Sequence, residues 1–211
     1  MTFNNLPLYE LTLDNEFGVQ FISIVDRPAI KSHFLCFSEQ THQQFSISDP
    51  DKHIITGLAM IPDTPIYRRT DKQEFYVQFS ANTIRQLAEK FFTEQRTLSV
   101  NVEHSIPTND VVILESFFVD KERGIAPIEF PDALNGSWYI SMKVNDEELW
   151  NSIKDGKLNG FSIEGKFDIK SNFNDETIEE VPTIENIEDK IVAVEELKED
   201  IYDAIAKTIF Q

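Results

Sequence analysis

Cysteine is almost absent: Cys36 stands alone in 211 residues, so no disulfide can close within the chain and no multi-cysteine zinc site can be built. That fits a reducing cytoplasm. Basic residues are scarce, 19 Lys and Arg against 37 Asp and Glu, and the net charge of -18 argues against general nucleic-acid binding, because phosphates would be repelled. Basic or neutral protein partners fit better. No apolar run approaches the roughly 18 residues of a membrane span, and the N-terminus lacks a basic region followed by an apolar stretch. The expectation is an unexported, soluble protein without a membrane partner. His33, His42 and His53 share no metal-ligand spacing, so no metal or cofactor is expected. What the chain does have is 17 Phe and enough length for one medium domain plus an appendage.

The pattern along the chain is mostly that of strands. Leu6 to Leu13 and Val19 to Val25 are separated by the turn-forming Asp14-Asn15-Glu16-Phe17-Gly18 and read as an N-terminal hairpin, stopped by Pro28. Ser38 to Ser48 reads as a polar connection. The β-branched run His53 to Ile61 and the alternating Glu74 to Phe79 add strands. Ser80 is then placed to cap a helix whose inner face is Ile84, Leu87, Ala88 and Phe91. Leu98, Val100, Val102 and His104 share one face of the next strand, and Ser99, Asn101 and Glu103 share the other. Val111 to Val119 is nearly all apolar, which predicts a central strand with Glu115 in its middle. A buried carboxyl there needs a partner, which makes Glu115 a candidate for a function. Trp138, Ile140, Met142 and Val144 line one more strand, followed by a short helix capped at Asn145 and ending at Gly156.

The stretch Lys157-Leu-Asn-Gly-Phe-Ser-Ile-Glu-Gly-Lys166 carries one serine between Gly160 and Gly165. Phe161, Ile163, Phe167 and Ile169 point one way; Ser162, Glu164, Lys166 and Asp168 point the other. Beyond Lys170 the composition changes, with twelve acids against three bases from Ser171 to Gln211. The expected organisation is a domain over 1–170, an acidic linker over 171–187 and an amphipathic helix over 188–211, the last from the spacing of Ile191, Val194, Leu197, Ile201 and Ile205.

Serine chemistry requires a base near the hydroxyl, a group that orients the base and donors for the oxyanion. Ser162 as nucleophile, His104 as base and either Glu115 or Glu164 as orienting acid are the available candidates. From spacing alone a serine in a glycine-flanked strand is more often an ordinary sheet residue, and a single histidine is more often structural.

Several motifs in order alter that balance. They are Tyr9-Glu-Leu, Ile22-Ser-Ile-Val-Asp-Arg-Pro-Ala29, Gly57-Leu-Ala-Met-Ile-Pro-Asp-Thr-Pro-Ile-Tyr-Arg68, Asn101-Val-Glu-His104, Leu114-Glu-Ser116, Gly136-Ser-Trp138, Glu148-Leu-Trp150 and Gly160-Phe-Ser-Ile-Glu-Gly165. Together they resemble the XkdF-like serine proteases of bacteriophages, which are similar to prohead proteases and, distantly, to herpesvirus assemblins. The resemblance implies an α+β fold: a β-barrel-like, mostly antiparallel sheet with a few packed helices. It implies a prohead-maturation serine endopeptidase that cleaves scaffold, capsid-protein extensions and possibly itself. Ser162 would be the nucleophile and His104 the general base. The implied partners are the major capsid protein, the scaffold and further copies of the chain, inside the procapsid in the bacterial host cytoplasm. In related prohead proteases an acid precedes a Val-Ser-Leu-Val-like run leading to Pro-Ala; here Phe21 stands where that acid would be. Glu115 is then the preferred orienting acid on grounds of burial, with Glu164 second. The alternative is a non-catalytic head or scaffolding protein that keeps the fold.

Overall fold

The computed structural model describes residues 2–13, 18–26, 45–69, 73–104 and 106–170. The expected acidic linker and C-terminal helix lie outside them, as does most of the polar connection. In chain order the described elements are β1 (Thr2–Phe3), β2 (Leu6–Thr12), β3 (Gly18–Val25), β4 (Ser46–Asp49), β5 (Ile54–Met60), β6 (Ile66–Arg69), β7 (Glu74–Phe79) and α1 (Ala81–Thr93). They continue with β8 (Val100–Val102), β9 (Ile106–Thr108), β10 (Val111–Phe118), β11 (Trp138–Val144), α2 (Glu147–Lys154), β12 (Gly160–Lys166) and β13 (Asp168–Ile169). The strands form three sheets: β1-β2-β7-β6 with β13 also on β2, β10-β11-β5-β4, and β12-β3-β8-β9. Pairing is antiparallel except for β2 with β7 and β3 with β8. The class is therefore α+β with mostly antiparallel sheets.

The barrel implied by the resemblance does not close among the described residues, because each sheet ends on edge strands. Bulges between Ile113 and Glu115 and between Glu164 and Gly165 bend strands without joining the edges. The edge strand β9 carries Pro107, which has no N–H to donate to a further neighbour.

The N-terminal hairpin does not form either. In β3, Val19, Ile22, Ile24 and Val25 are all buried, so the strand is enclosed on both faces and takes a partner on each edge, β12 and β8. Then β2 pairs elsewhere, with β7 in parallel. A single antiparallel ribbon, β12 running into β13, passes along β3 and then along β2. At its bend Gly165 lies so close to the chain that an added Cβ would sit 2.2 Å from the carbonyl oxygen of Gly18.

All three sheets share one apolar core, which includes Leu11, Phe75, Ile22, Ile55, Ile140 and Phe161. Helix α1 packs on β3 and β11 through Ile84, Leu87, Ala88 and Phe91, and Phe91 meets Trp138 edge to face at 5.7 Å. Its N-cap is Ser80, whose Oγ accepts from Thr83 N at 3.2 Å. In α2 the cap falls one residue later than expected: Asp146 accepts from Leu149 N, while the Asn145 N–H donates to Asp110 O. Strand β10 is an edge and not a central strand, and Leu114 and Glu115 are exposed on it. Its apolar composition reflects packing at both ends, with Val111 and Ile113 buried at one and Phe117 and Phe118 half-buried against the core at the other, while Leu114, Glu115 and Ser116 between them are exposed.

Gly165→Ala should lower stability by about 2 kcal/mol, in the range for overpacking against backbone that cannot yield. For a chain of this size that corresponds to a melting temperature lower by roughly 4–8 °C, measured by circular dichroism; an unchanged melting temperature would contradict the close approach.

Candidate active site

Strand β3 carries the site. Ile22 and Ile24 enter the core, so Ser23 faces the opposite side of the sheet. Its register partners are Ser162 on β12 and Asn101 on β8. Directly paired residues point to the same face, so Ser162, Ser23 and Asn101 form a row across three strands, with neighbouring strands about 4.8 Å apart. Glu164, two residues beyond Ser162, shares that face. This side is not a solvated polar surface: Ser23 is 0% exposed, Asn101 4%, Ser162 5% and Glu164 6%.

His104 reaches the row by a turn that alternation does not anticipate. β8 ends at Val102, and both Glu103 (φ 51°) and His104 (φ 58°) are left-handed. For non-glycine residues that conformation is uncommon and costs of the order of 1–3 kcal/mol each, and it recurs at functional sites. The turn is held to β3 by Glu103 N donating to Ile24 O at 3.1 Å and by Glu103 Oε1 accepting from Asp26 N. It moves the imidazole off the apolar face expected from alternation and onto the face of Asn101.

There Glu164 Oε1 accepts from three donors: His104 Nδ1 at 2.8 Å, Asn101 Nδ2 at 2.5 Å and Ser23 Oγ. Ser23 Oγ also lies 3.0 Å from His104 Nδ1. Burial pushes the Glu164 carboxyl up, but the bonds from His104, Ser23 and Asn101 outweigh it and hold the carboxyl below its ordinary value. A carboxylate only accepts, so the Nδ1 facing it carries the ring proton and leaves Nε2 as the acceptor. Asn101 Oδ1 is buried and has no hydrogen-bond partner among the described residues. Only the amide nitrogen of that side chain is satisfied, although an unmet buried acceptor costs about 1–3 kcal/mol.

Of the sequence-derived candidates, the structure brings His104 and Glu164 into contact and sets Ser162 in the row beside Ser23. Among the described residues no hydrogen bond joins Ser162 to His104. Glu115 is elsewhere, lining an open groove between α1 and β10 with Phe92, Ile113, Leu114 and Phe118. It is exposed, which removes the burial that favoured it over Glu164. Sequence reasoning did not single out Ser23 or Asn101. The available signal was a lone serine among the apolar residues Phe21 to Val25, and an asparagine in the segment that ends in His104. His53 stacks on Trp150 at 4.5 Å, a packing role, while His33 and His42 lie outside the described residues. No group of His, Cys, Asp and Glu among the described residues is arranged to hold a metal ion.

Comparison with known proteins gives a consistent relationship. The model of the family described as "Putative phage serine protease XkdF" matches residues 42–171, well over half of the chain. The chain is 26% identical over 163 residues to the Phage-like element PBSX protein XkdF of Bacillus subtilis (strain 168). That match covers 72% of this chain and 53% of the relative, so the chain spans about half the length of that curated protein. No solved structure matches.

The depressed Glu164 carboxyl has a pH consequence. Its contribution to stability is fully present above the ordinary value of 4.5 and is lost as pH falls through the lower folded value. Glu164→Gln should therefore cost about 1–3 kcal/mol at pH 7, with the gap from the wild type closing at an acid pH below the lowered folded value, where both side chains are neutral. Urea denaturation at the two pH values measures this; a gap that stays constant would mean that Glu164 is not held as an anion.

Proposed function

Since this chain belongs to the phage XkdF family, we propose that it is a serine endopeptidase of capsid maturation, with Ser162 as nucleophile, His104 as general base and Glu164 as the acid that orients the base. The observation that carries this reading is the bond from His104 Nδ1 to the buried Glu164 Oε1, made over the row of residues that includes Ser162. An anion bound at Nδ1 fixes the tautomer and stabilises the imidazolium that forms when Nε2 takes a proton. Ser162 and Ser23 are cross-strand partners, so their Cβ atoms lie about 5 Å apart. Ser162 is thus the neighbour along the row of Ser23, whose Oγ lies 3.0 Å from His104 Nδ1, and proton transfer requires its hydroxyl to reach the other ring nitrogen, Nε2.

The reaction follows in two halves. Ser162 Oγ attacks the peptide carbonyl as Nε2 removes its proton, and the imidazolium returns that proton to the departing amine. Water then enters by the same route and hydrolyses the ester. Family membership supports the phage setting, and the proposed substrates are the capsid protein and scaffold within the procapsid, with further copies of this chain as partners there.

A non-catalytic head protein is the competing reading. It draws on two observations: Ser162 is 5% exposed, and it makes no hydrogen bond to His104 among the described residues. Catalytic bonds are often long before substrate binds, so apo geometry does not decide between the readings.

Co-expression with the phage capsid protein does. Ser162→Ala and His104→Ala should each lower processing by about 10⁴-fold or more, while Glu115→Gln should process at the wild-type rate. Processing that survives Ser162→Ala would assign the protein to the non-catalytic reading.

A further inference from the structure

Ser23 supplies the hydrogen bond between a serine and His104 that the structure contains, yet its chemistry is wrong for a nucleophile. It is fully buried, its hydroxyl proton goes to Glu164, and it faces Nδ1, the ring nitrogen that already carries a proton for the carboxylate. Asn101 is equally enclosed and equally committed. Its amide nitrogen binds Glu164 Oε1 at 2.5 Å, while its oxygen is left without a partner among the described residues. Reversing the amide would turn a carbonyl oxygen toward a carboxylate, so the orientation is set by Glu164. Both side chains therefore serve one atom, Glu164 Oε1, which is also the acceptor for His104 Nδ1.

We propose that Ser23 and Asn101 are positioning residues that fix the Glu164 carboxylate and through it hold His104 in the Nδ1–H form, with Nε2 left to act on Ser162. The proposal rests on the Ser162 and His104 reading above. Without the two donors, the Glu164 carboxylate would lose two of the three hydrogen bonds to Oε1 that offset its burial. Torsion of that side chain would let the imidazole rotate or exchange tautomers, so that Nε2 spends part of its time protonated and useless as a base. Ser23 has a second part in this. Its oxygen, 3.0 Å from Nδ1, backs the ring on the side away from Nε2 and limits its tilt.

The test uses the full chain with ¹⁵N-labelled histidine, as wild type, Ser23→Ala and Asn101→Ala, each checked for wild-type circular dichroism. Ring ¹⁵N shifts should show a single Nδ1–H tautomer for His104 in the wild type and a mixture containing Nε2–H in the variants. In parallel, a fluorophosphonate should label Ser162, located by mass spectrometry, and either alanine variant should label about 10- to 100-fold more slowly, the scale of a misplaced catalytic group. Ser23→Thr keeps the hydroxyl and should recover most of the rate. If Ser23→Ala fails to fold, Asn101→Ala decides alone. An unchanged tautomer together with unchanged labelling in a folded variant overturns the proposal. A wild type that does not label at Ser162 overturns the nucleophile assignment instead, and the tautomer measurement still decides the role of Ser23 and Asn101.

Discussion

A carboxylate that is 6% exposed can remain ionised only where donors replace the water it has lost. Glu164 meets that condition with three donors on one oxygen, drawn from two strands and the turn that follows one of them. Ser23 comes from β3, Asn101 from β8, and His104 from the turn that follows β8. Each must be at its register for the anion to be tolerated. The site thus constrains the β12-β3-β8 sheet as strongly as the sheet constrains the site.

The rest of the structure can be understood from that requirement. β3 has to be central, because it must present Ser23 between Ser162 on one side and Asn101 on the other. Its apolar face supplies Ile22 and Ile24 to the core beneath α1, so the same strand anchors the site and the hydrophobic interior. The ribbon of β12 and β13 has to pass close to Gly18, which only glycine at 165 permits. A one-residue slip of β12 would turn Ser162 and Glu164 into the core and Phe161 and Ile163 out of it.

The position of the acid is informative. The resemblance to prohead proteases leads one to look for an acid before the run leading to Pro-Ala, a position that here is Phe21. In the sheet, Phe21 is the register partner of Glu164. The Glu164 carboxyl therefore stands on the adjacent strand, directly across from that position. Paired side chains point to the same face, so an acid at either of the two positions would face the row of Ser23, Ser162 and Asn101.

Local signals in the sequence were sufficient for much of the framework. The Ser80 cap and the spacing of Ile84, Leu87, Ala88 and Phe91 specify α1 without help from the rest of the chain. Alternation alone places Ser162 and Glu164 on one face of β12, and the ordered motifs, from Ile22-Ser-Ile-Val through Asn101-Val-Glu-His to Gly160-Phe-Ser-Ile-Glu-Gly, identify the family. Tertiary structure decided what depends on partners distant in the chain. It assigned β2 and β3 to different sheets, left β10 and Glu115 at an exposed edge, and kept the sheets from closing among the described residues. Above all it turned His104 onto the face of Asn101. Strand alternation is a property of neighbouring residues, whereas the paired left-handed conformation of Glu103 and His104 is sustained by contacts with Ile24, Ser23 and Glu164, all at least 60 residues away.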